Sequence, residues 1–223
     1  LHRPAAAQAK PVVQDTLEQR LLACTGCHGA NGEGLQKNEY YPRLAGKPAL
    51  YLYNQLANFR DRRRELAIMN YMVAFLSDNY LYEIADHFSK LQPPCPAPSQ
   101  RADAAELARG GTLVNEGDAV RKLPPCTACH GKTLTGMEPA IPGLVGLYPP
   151  YISAQMGAWK DNNRHAMAPD CMADVAKSLA PEDIAALSQW LSTQTVPAGA
   201  KPATSLPERP PMRCGGLPAG ATR

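Results

Sequence analysis

The chain has 223 residues, with 22 Pro, 17 Gly and only 6% aromatic residues, enough for one large domain or two thin-cored domains of about 100 residues each. A formal net charge of +3 is too weak to indicate a nucleic-acid partner, and no run approaches the roughly 20 apolar residues of a membrane span. The Ala-rich start, Leu1 to Lys10, reads as the loose beginning of an exported protein whose signal peptide has been removed.

In chain order, a helix is expected over Asp15 to Ala23, running into Cys24-Thr25-Gly26-Cys27-His28. Pro42-Arg43-Leu44-Ala45-Gly46 follows, then a helix over Ala49 to Arg64 with Tyr51, Gln55, Leu56 and Phe59 on one side. Met69 and Met72 precede a closing helix over Ser77 to Leu91, with Ser77 as its N-cap. Gln92 to Gln100 is Pro-rich and reads as a semi-rigid spacer. The order then recurs. Asp103 to Leu113 leads toward Cys126-Thr127-Ala128-Cys129-His130, and Pro142-Gly143-Leu144-Val145-Gly146 precedes a helix over Pro150 to Asp161. Met167 and Met172 lie before a helix over Pro181 to Thr193, where Pro181 suits the first turn and Glu182 and Asp183 favour its positive end. Val196 to Pro218 forms a Pro-rich tail without counterpart in the first half. No stretch alternates as a strand does, so the fold class is all-α.

The recurrence is a duplication. Tyr51, Gln55 and Phe59 align with Tyr151, Gln155 and Trp159 at an offset of 100, and Leu76-Ser77-Asp78 with Leu179-Ala180-Pro181 at 103. It divides the chain into a first domain at 1–92, a linker at 93–101, a second domain at 102–195 and a tail at 196–223.

Each Cys-x-x-Cys-His pentapeptide carries specific chemistry. Two thiols three positions apart lie on adjacent turns of a short helix and can each add to a haem vinyl group, and the following His then aims a ring nitrogen at iron. One such match would also suit a redox dithiol or half a zinc site. Zinc ribbons, however, bring their Cys pairs within roughly 20 residues, and here the pairs start at 24 and 126. Neither has the βαβ context of a thioredoxin. The reading is therefore two covalently bound haem c groups, through Cys24, Cys27 and His28, and through Cys126, Cys129 and His130. Such attachment occurs outside the bacterial cytoplasm, which implies a periplasmic protein.

A sixth iron ligand separates electron carriers from enzymes, and a soft thioether raises the potential. Met69 lies seven residues before Leu76 and Met172 seven before Leu179, so these two are equivalent, whereas Met72 and Met167 have no partner in the repeat. Met69 and Met172 are the expected ligands, 41 and 42 positions after their His. Met137 and Met156 are assigned to packing.

This twofold order of Cys-x-x-Cys-His, Pro-x-Leu-x-Gly, Tyr-x-x-x-Gln and Met seven before the closing helix resembles the dihaem c4-like cytochromes c. The resemblance covers nearly all of the chain up to about Thr195. It implies two class I cytochrome c domains, related by an approximate two-fold axis with their haems close together. It further implies His28/Met69 and His130/Met172 ligation, and carbonyls of Pro42 and Pro142 that orient the axial His residues. The function implied is passage of single electrons between a donor dehydrogenase or quinol-oxidising complex and a terminal oxidase or other acceptor. Peripheral association with a membrane complex is open to such a protein, and so is a place as the cytochrome subunit of a thiosulfate- or alcohol-oxidising dehydrogenase. Two Met residues so placed argue against a peroxidase. No Ser/His/Asp set, phosphate loop or carboxylate pair stands out.

Cys95, Cys171 and Cys214 remain. Cys171, whose counterpart is Ile68, and the tail bearing Cys214 are both additions to the second unit. The expectation is a Cys171–Cys214 disulfide fastening the tail over the second haem's Met side, with loop-closure stabilisation of about 3 kcal/mol. The competing readings are a Cys95–Cys214 bridge and Cys171 as an iron ligand in place of Met172. Arg60, Arg62, Arg63 and Arg64 form a dense basic cluster, read as a solvated helix end or as a docking patch for an acidic redox partner. His87 reads as structural, and His2 and His165 show no pattern.

Overall fold

The Thr16 hydroxyl accepts the Gln19 amide at 3.3 Å and starts helix α1, Leu17–His28. In this computed structural model, which describes residues 14–98, 103–205 and 208–218, α1 runs unbroken through the first pentapeptide. The first half continues with α2 (Ala49–Arg60), α3 (Ala67–Val73) and α4 (Asp78–Lys90). The second half has α5 (Ala104–Asn115), α6 (Thr127–His130), α7 (Pro149–Lys160), α8 (Cys171–Ser178) and α9 (Pro181–Ser192). One two-stranded antiparallel ribbon, β1 (Gly136–Met137) with β2 (Ile141–Pro142), is also present. The architecture is all-α apart from this ribbon, which is too short for strand alternation to register in the sequence. The start, His2 and the middle of the linker (residues 99–102) lie outside the described residues.

The expected helix over Ala49 to Arg64 ends at Arg60, because Asp61 caps it and Arg62 takes a left-handed φ of 59°. Asn162 makes the same turn after α7, at φ 58°. Helices α3 and α8 were not anticipated. Each is only about two turns long, too short for helical periodicity to show, and α8 is started by Asp170, whose carboxylate accepts the Ala173 amide.

In each half the first and last helices pack together: α1 on α4, and α5 on α9. Gly110 permits the second crossing, since a Cβ there would run into the Ala186 carbonyl. The first-half cores gather Leu21, Leu52, Ile84, Ala85 and Phe88 in one cluster and Ala57, Phe59, Val73 and Leu81 in another. The second-half core runs from Leu113 and Val114 through Trp159 to Leu187 and Leu191.

Asp183 braces α9 from within. Its side chain is fully buried, and it accepts hydrogen bonds from Arg109, Arg121 and the Ala180 amide. Burial pushes its pKa up, but Arg121, the amide and Arg109 together outweigh that and hold it at about 2. The folded carboxylate is therefore less basic than the unfolded one, near 3.9. It contributes about 2 kcal/mol above pH 5, lost progressively as pH falls toward 2. In Asp183→Asn the acid limb of a stability–pH curve is expected to flatten by that amount; an unchanged limb would contradict the assignment.

Candidate haem sites

Both pentapeptides end in a buried imidazole held in the same way. His28 Nδ1 and His130 Nδ1 each donate to a proline carbonyl at 2.8 Å, Pro42 O and Pro142 O respectively. A carbonyl can only accept, so the proton sits on Nδ1 and Nε2 keeps its lone pair. Burial lowers the pKa of both His residues, with the proline carbonyls opposing it. Each is thus a neutral imidazole with one committed and one available nitrogen. Glycines at positive φ, Gly29 at 85° and Gly131 at 82°, turn the chain sharply after each His.

The four thiols are half-buried. Burial, then the neighbouring Cys27, pushes Cys24 up to about 11; burial, then Cys129, does the same for Cys126. Cys129 is raised by burial. Among the described residues no three His, Cys, Asp or Glu side chains meet as a metal cage.

Cys126, Cys129 and His130 open into a cavity of about 1570 Å³ including its mouth, walled by Leu144, Ile152, Trp159, Met172 and Leu187 among others. Met167 and Met212 also reach it. Met172 is half-buried on α8 and packs against the second core; Met69 is half-buried on α3 and packs against Phe59, Val73 and Leu81. Met137 and Met156 are buried in the fold, as packing residues are.

Where the halves meet lies a group of residues whose joint role sequence reading did not anticipate, Arg164 and Lys47 among them not singled out at all. Arg64 donates to Gln55 Oε1 at 3.0 Å and to Gln155 Oε1 at 2.6 Å, and Arg164 returns the pattern, to Gln155 at 2.6 Å and to Gln55 at 3.0 Å. Backbone bonds Glu65 N to Asn163 O (2.8 Å) and His165 N to Arg63 O (2.5 Å) bring the two arginines side by side. Arg64 stacks on Phe59 at 4.4 Å and Arg164 on Trp159 at 3.8 Å. Lys47 is a third cation there, half-buried like Arg64, whereas Arg164 is buried; Lys47 Nζ donates to Gly143 O at 3.2 Å, and desolvation brings its pKa down to about 8. None of the three makes an ion pair with a carboxylate among the described residues.

Three residues of the basic cluster form the solvated helix end, one of its two readings, and Arg64 departs from it. Arg60 pairs with Asp61 and Asp78, Arg62 with Glu65 and Arg63 with Asp61, while Arg64 turns inward. The 100-residue repeat carries the signal that would have found it, since Arg164 is Arg64's counterpart just as Gln155 is that of Gln55.

A buried cation without a counter-anion, as Arg164 is among the described residues, favours an anion beside it, and the half-buried Arg64 and Lys47 add to that preference. Trp159 Nε1, the buried side-chain polar atom without a partner among the described residues, needs an acceptor. A haem would supply both an anion and an acceptor through its carboxylates, with vinyls for the thiols, iron for Nε2 and apolar faces for the walls. The residues fit the group.

Cys171 and Cys214 form a disulfide, S–S 2.08 Å. The competing bridge through Cys95 is not made, and Cys171 is committed to Cys214. Cys95 is unbonded and half-buried.

A helical shell around Cys-x-x-Cys-His motifs, each with its His anchored on a proline carbonyl, defines a class I cytochrome c. The Cytochrome c family model matches residues 19–109. The thiosulfate dehydrogenase electron acceptor of Thiomonas intermedia is 38% identical, over 77% of this chain and 78% of that one. Cytochrome c4 of Pseudomonas aeruginosa is 31% identical, over 84% and 86%. The crystal structure of reduced cytochrome c4 from Pseudomonas stutzeri superposes with a TM-score of 0.68 at 28% identity, over 79% of this chain and 95% of that one. A thiosulfate dehydrogenase (TsdBA) from Marichromatium purpuratum gives 0.68 at 30% identity over 77% of this chain, which spans 36% of that longer one. The chain belongs to the cytochrome c family, in its c4-like group, and is an electron carrier binding haem c covalently.

Proposed function

We propose that this protein is a periplasmic dihaem carrier. Single electrons pass through one haem on Cys24, Cys27, His28 and Met69 and another on Cys126, Cys129, His130 and Met172, within domains at 1–92 and 102–195. The observation that carries the reading is the pair of matching imidazoles, each with Nδ1 on a proline carbonyl at 2.8 Å and Nε2 left for iron. Haem bound there supplies a reversible ferric/ferrous couple. The chain's own residues fix the imidazole tautomer and orientation through Pro42 and Pro142, exclude water with the apolar walls, and hold positive charge at the interface through Lys47, Arg64 and Arg164. The Cys171–Cys214 disulfide is in keeping with an oxidising compartment. A redox-poised visible and far-red titration with intact mass tests the proposal. It is expected to show two haems per chain, each with a ferric Met–iron charge-transfer band and a positive potential. One haem, or a high-spin centre, would overturn it.

The donor we favour is a dehydrogenase of inorganic sulfur compounds, because two relatives are named as thiosulfate dehydrogenase electron acceptors. Whether the chain works as a free shuttle or as a bound subunit is read from co-purification with such an enzyme. A quinol-oxidising donor and a terminal oxidase as acceptor belong to the free-shuttle reading.

A further inference from the structure

The tail is built into the second half in a way that neither the repeat nor electron carriage requires. It first lies along the ribbon: Ala203 N donates to Gly136 O and Glu138 N to Ala203 O, both at 2.8 Å, and Thr135 Oγ1 donates to Lys201 O at 3.0 Å. Segment 208–218 then crosses the cavity mouth. Cys214 is bonded to Cys171, the residue before Met172, and Gly215 N donates to Pro169 O at 2.9 Å. Gly215 lies so close to the Ala168 carbonyl that a Cβ has no room. Beyond it, Asn54 Nδ2 on α2 donates to Gly216 O at 3.0 Å, so the segment also touches the first half. Met212, Cys214, Gly215, Gly216 and Leu217 all line the cavity that holds His130 and Met172. At the equivalent place in the first half stands Ile68, 51% exposed and uncovered by the described part of the tail.

We propose that segment 208–218 is a disulfide-locked cover over the second haem site, and that reduction of Cys171–Cys214 by a protein dithiol opens it. The step balances. The dithiol gives up two electrons and two protons as its sulfurs join, and the Cys171–Cys214 bond breaks with one proton going to each sulfur. Both cysteines are half-buried, not sealed, so a thiolate can reach them. Closed, the cover keeps water from the second site. Open, the site is hydrated, and water stabilises the more highly charged ferric iron, so that potential falls. The first site has no such cover among the described residues and is unaffected. The carrier is thereby one whose two potentials respond separately to thiol redox state. This inference rests on the dihaem reading, but its proteolytic readout does not.

The test uses full-length holoprotein and compares wild type with Cys171→Ser/Cys214→Ser. In the variant, trypsin is expected to cut after the exposed Arg213 about tenfold faster, as a released segment samples open states. One of its two midpoint potentials is expected to fall while the other stays. Wild type treated with excess dithiol, alkylated and reoxidised with ferricyanide is expected to show both changes with two alkyl groups beyond that on Cys95, and it serves alone should the variant not mature. Asn54→Ala, with the disulfide intact, is expected to be cut at the wild-type rate. Wild-type cleavage in the disulfide-free protein, unmoved potentials, or both potentials moving together would overturn the cover. Alkylation that requires urea would overturn its release by reduction.

Discussion

In Met172→Ala holoprotein the ferric Met–iron band is expected to fall to half its wild-type intensity. One potential is expected to drop by a few tenths of a volt, within the ~0.8 V range that axial ligands span. The other haem, carried with Met69, keeps its band and potential. The reason is the soft thioether, which stabilises ferrous iron and leaves either water or a weak ligand when removed. The structure makes this a sharper experiment than the sequence does, because Met167 and Met212 also reach the same cavity. Only Met172 occupies the place in the repeat that Met69 occupies. Met167, which is 40% exposed, and Met212, which belongs to the tail, are expected to tolerate Ala with the band intact. Loss of the band in Met167→Ala or Met212→Ala, and its survival in Met172→Ala, would reassign the ligand.

How much of this was legible beforehand follows from what leaves a local signature. Cys-x-x-Cys-His leaves one, since chemistry at a fixed spacing admits few alternatives. Ser77 and Pro181 were readable as helix starts because capping is local. The Cys171–Cys214 disulfide was reachable because both cysteines are additions to one half. Helices α3 and α8 were not legible, being too short for periodicity and held by tertiary packing. The end of α2 was missed because the left-handed turn sits at Arg62, a residue type that carries no such preference. Arg64 was misjudged for a related reason. Four arginines in five residues look like surface, and only the partner half, with Gln155 and Arg164, gives one of them a role between the halves.

Arg164, the buried counterpart of Arg64, predicts the second large effect. Arg164→Gln is expected to lower the potential of at least the second haem by on the order of 0.1 V. Removing a desolvated positive charge loses about 2 kcal/mol of stabilisation of the electron-rich ferrous state, which is ~0.1 V for a one-electron couple. The same change takes a donor from both Gln55 and Gln155 and the stacked cation from Trp159. A further loss of about 2–3 kcal/mol of stability is therefore expected, summing one unsatisfied hydrogen-bond set and one buried cation–π contact. The two consequences separate in Arg164→Lys, which keeps the charge and loses the planar fork. That variant is expected to melt early yet retain the wild-type potential. If both variants melt early with unchanged potentials, Arg164 merely fastens the halves together. If the Gln variant shifts potential and the Lys variant does not, the charge of Arg164 acts electrostatically on a haem, and a residue that joins the two halves also sets the energy of the electron they carry.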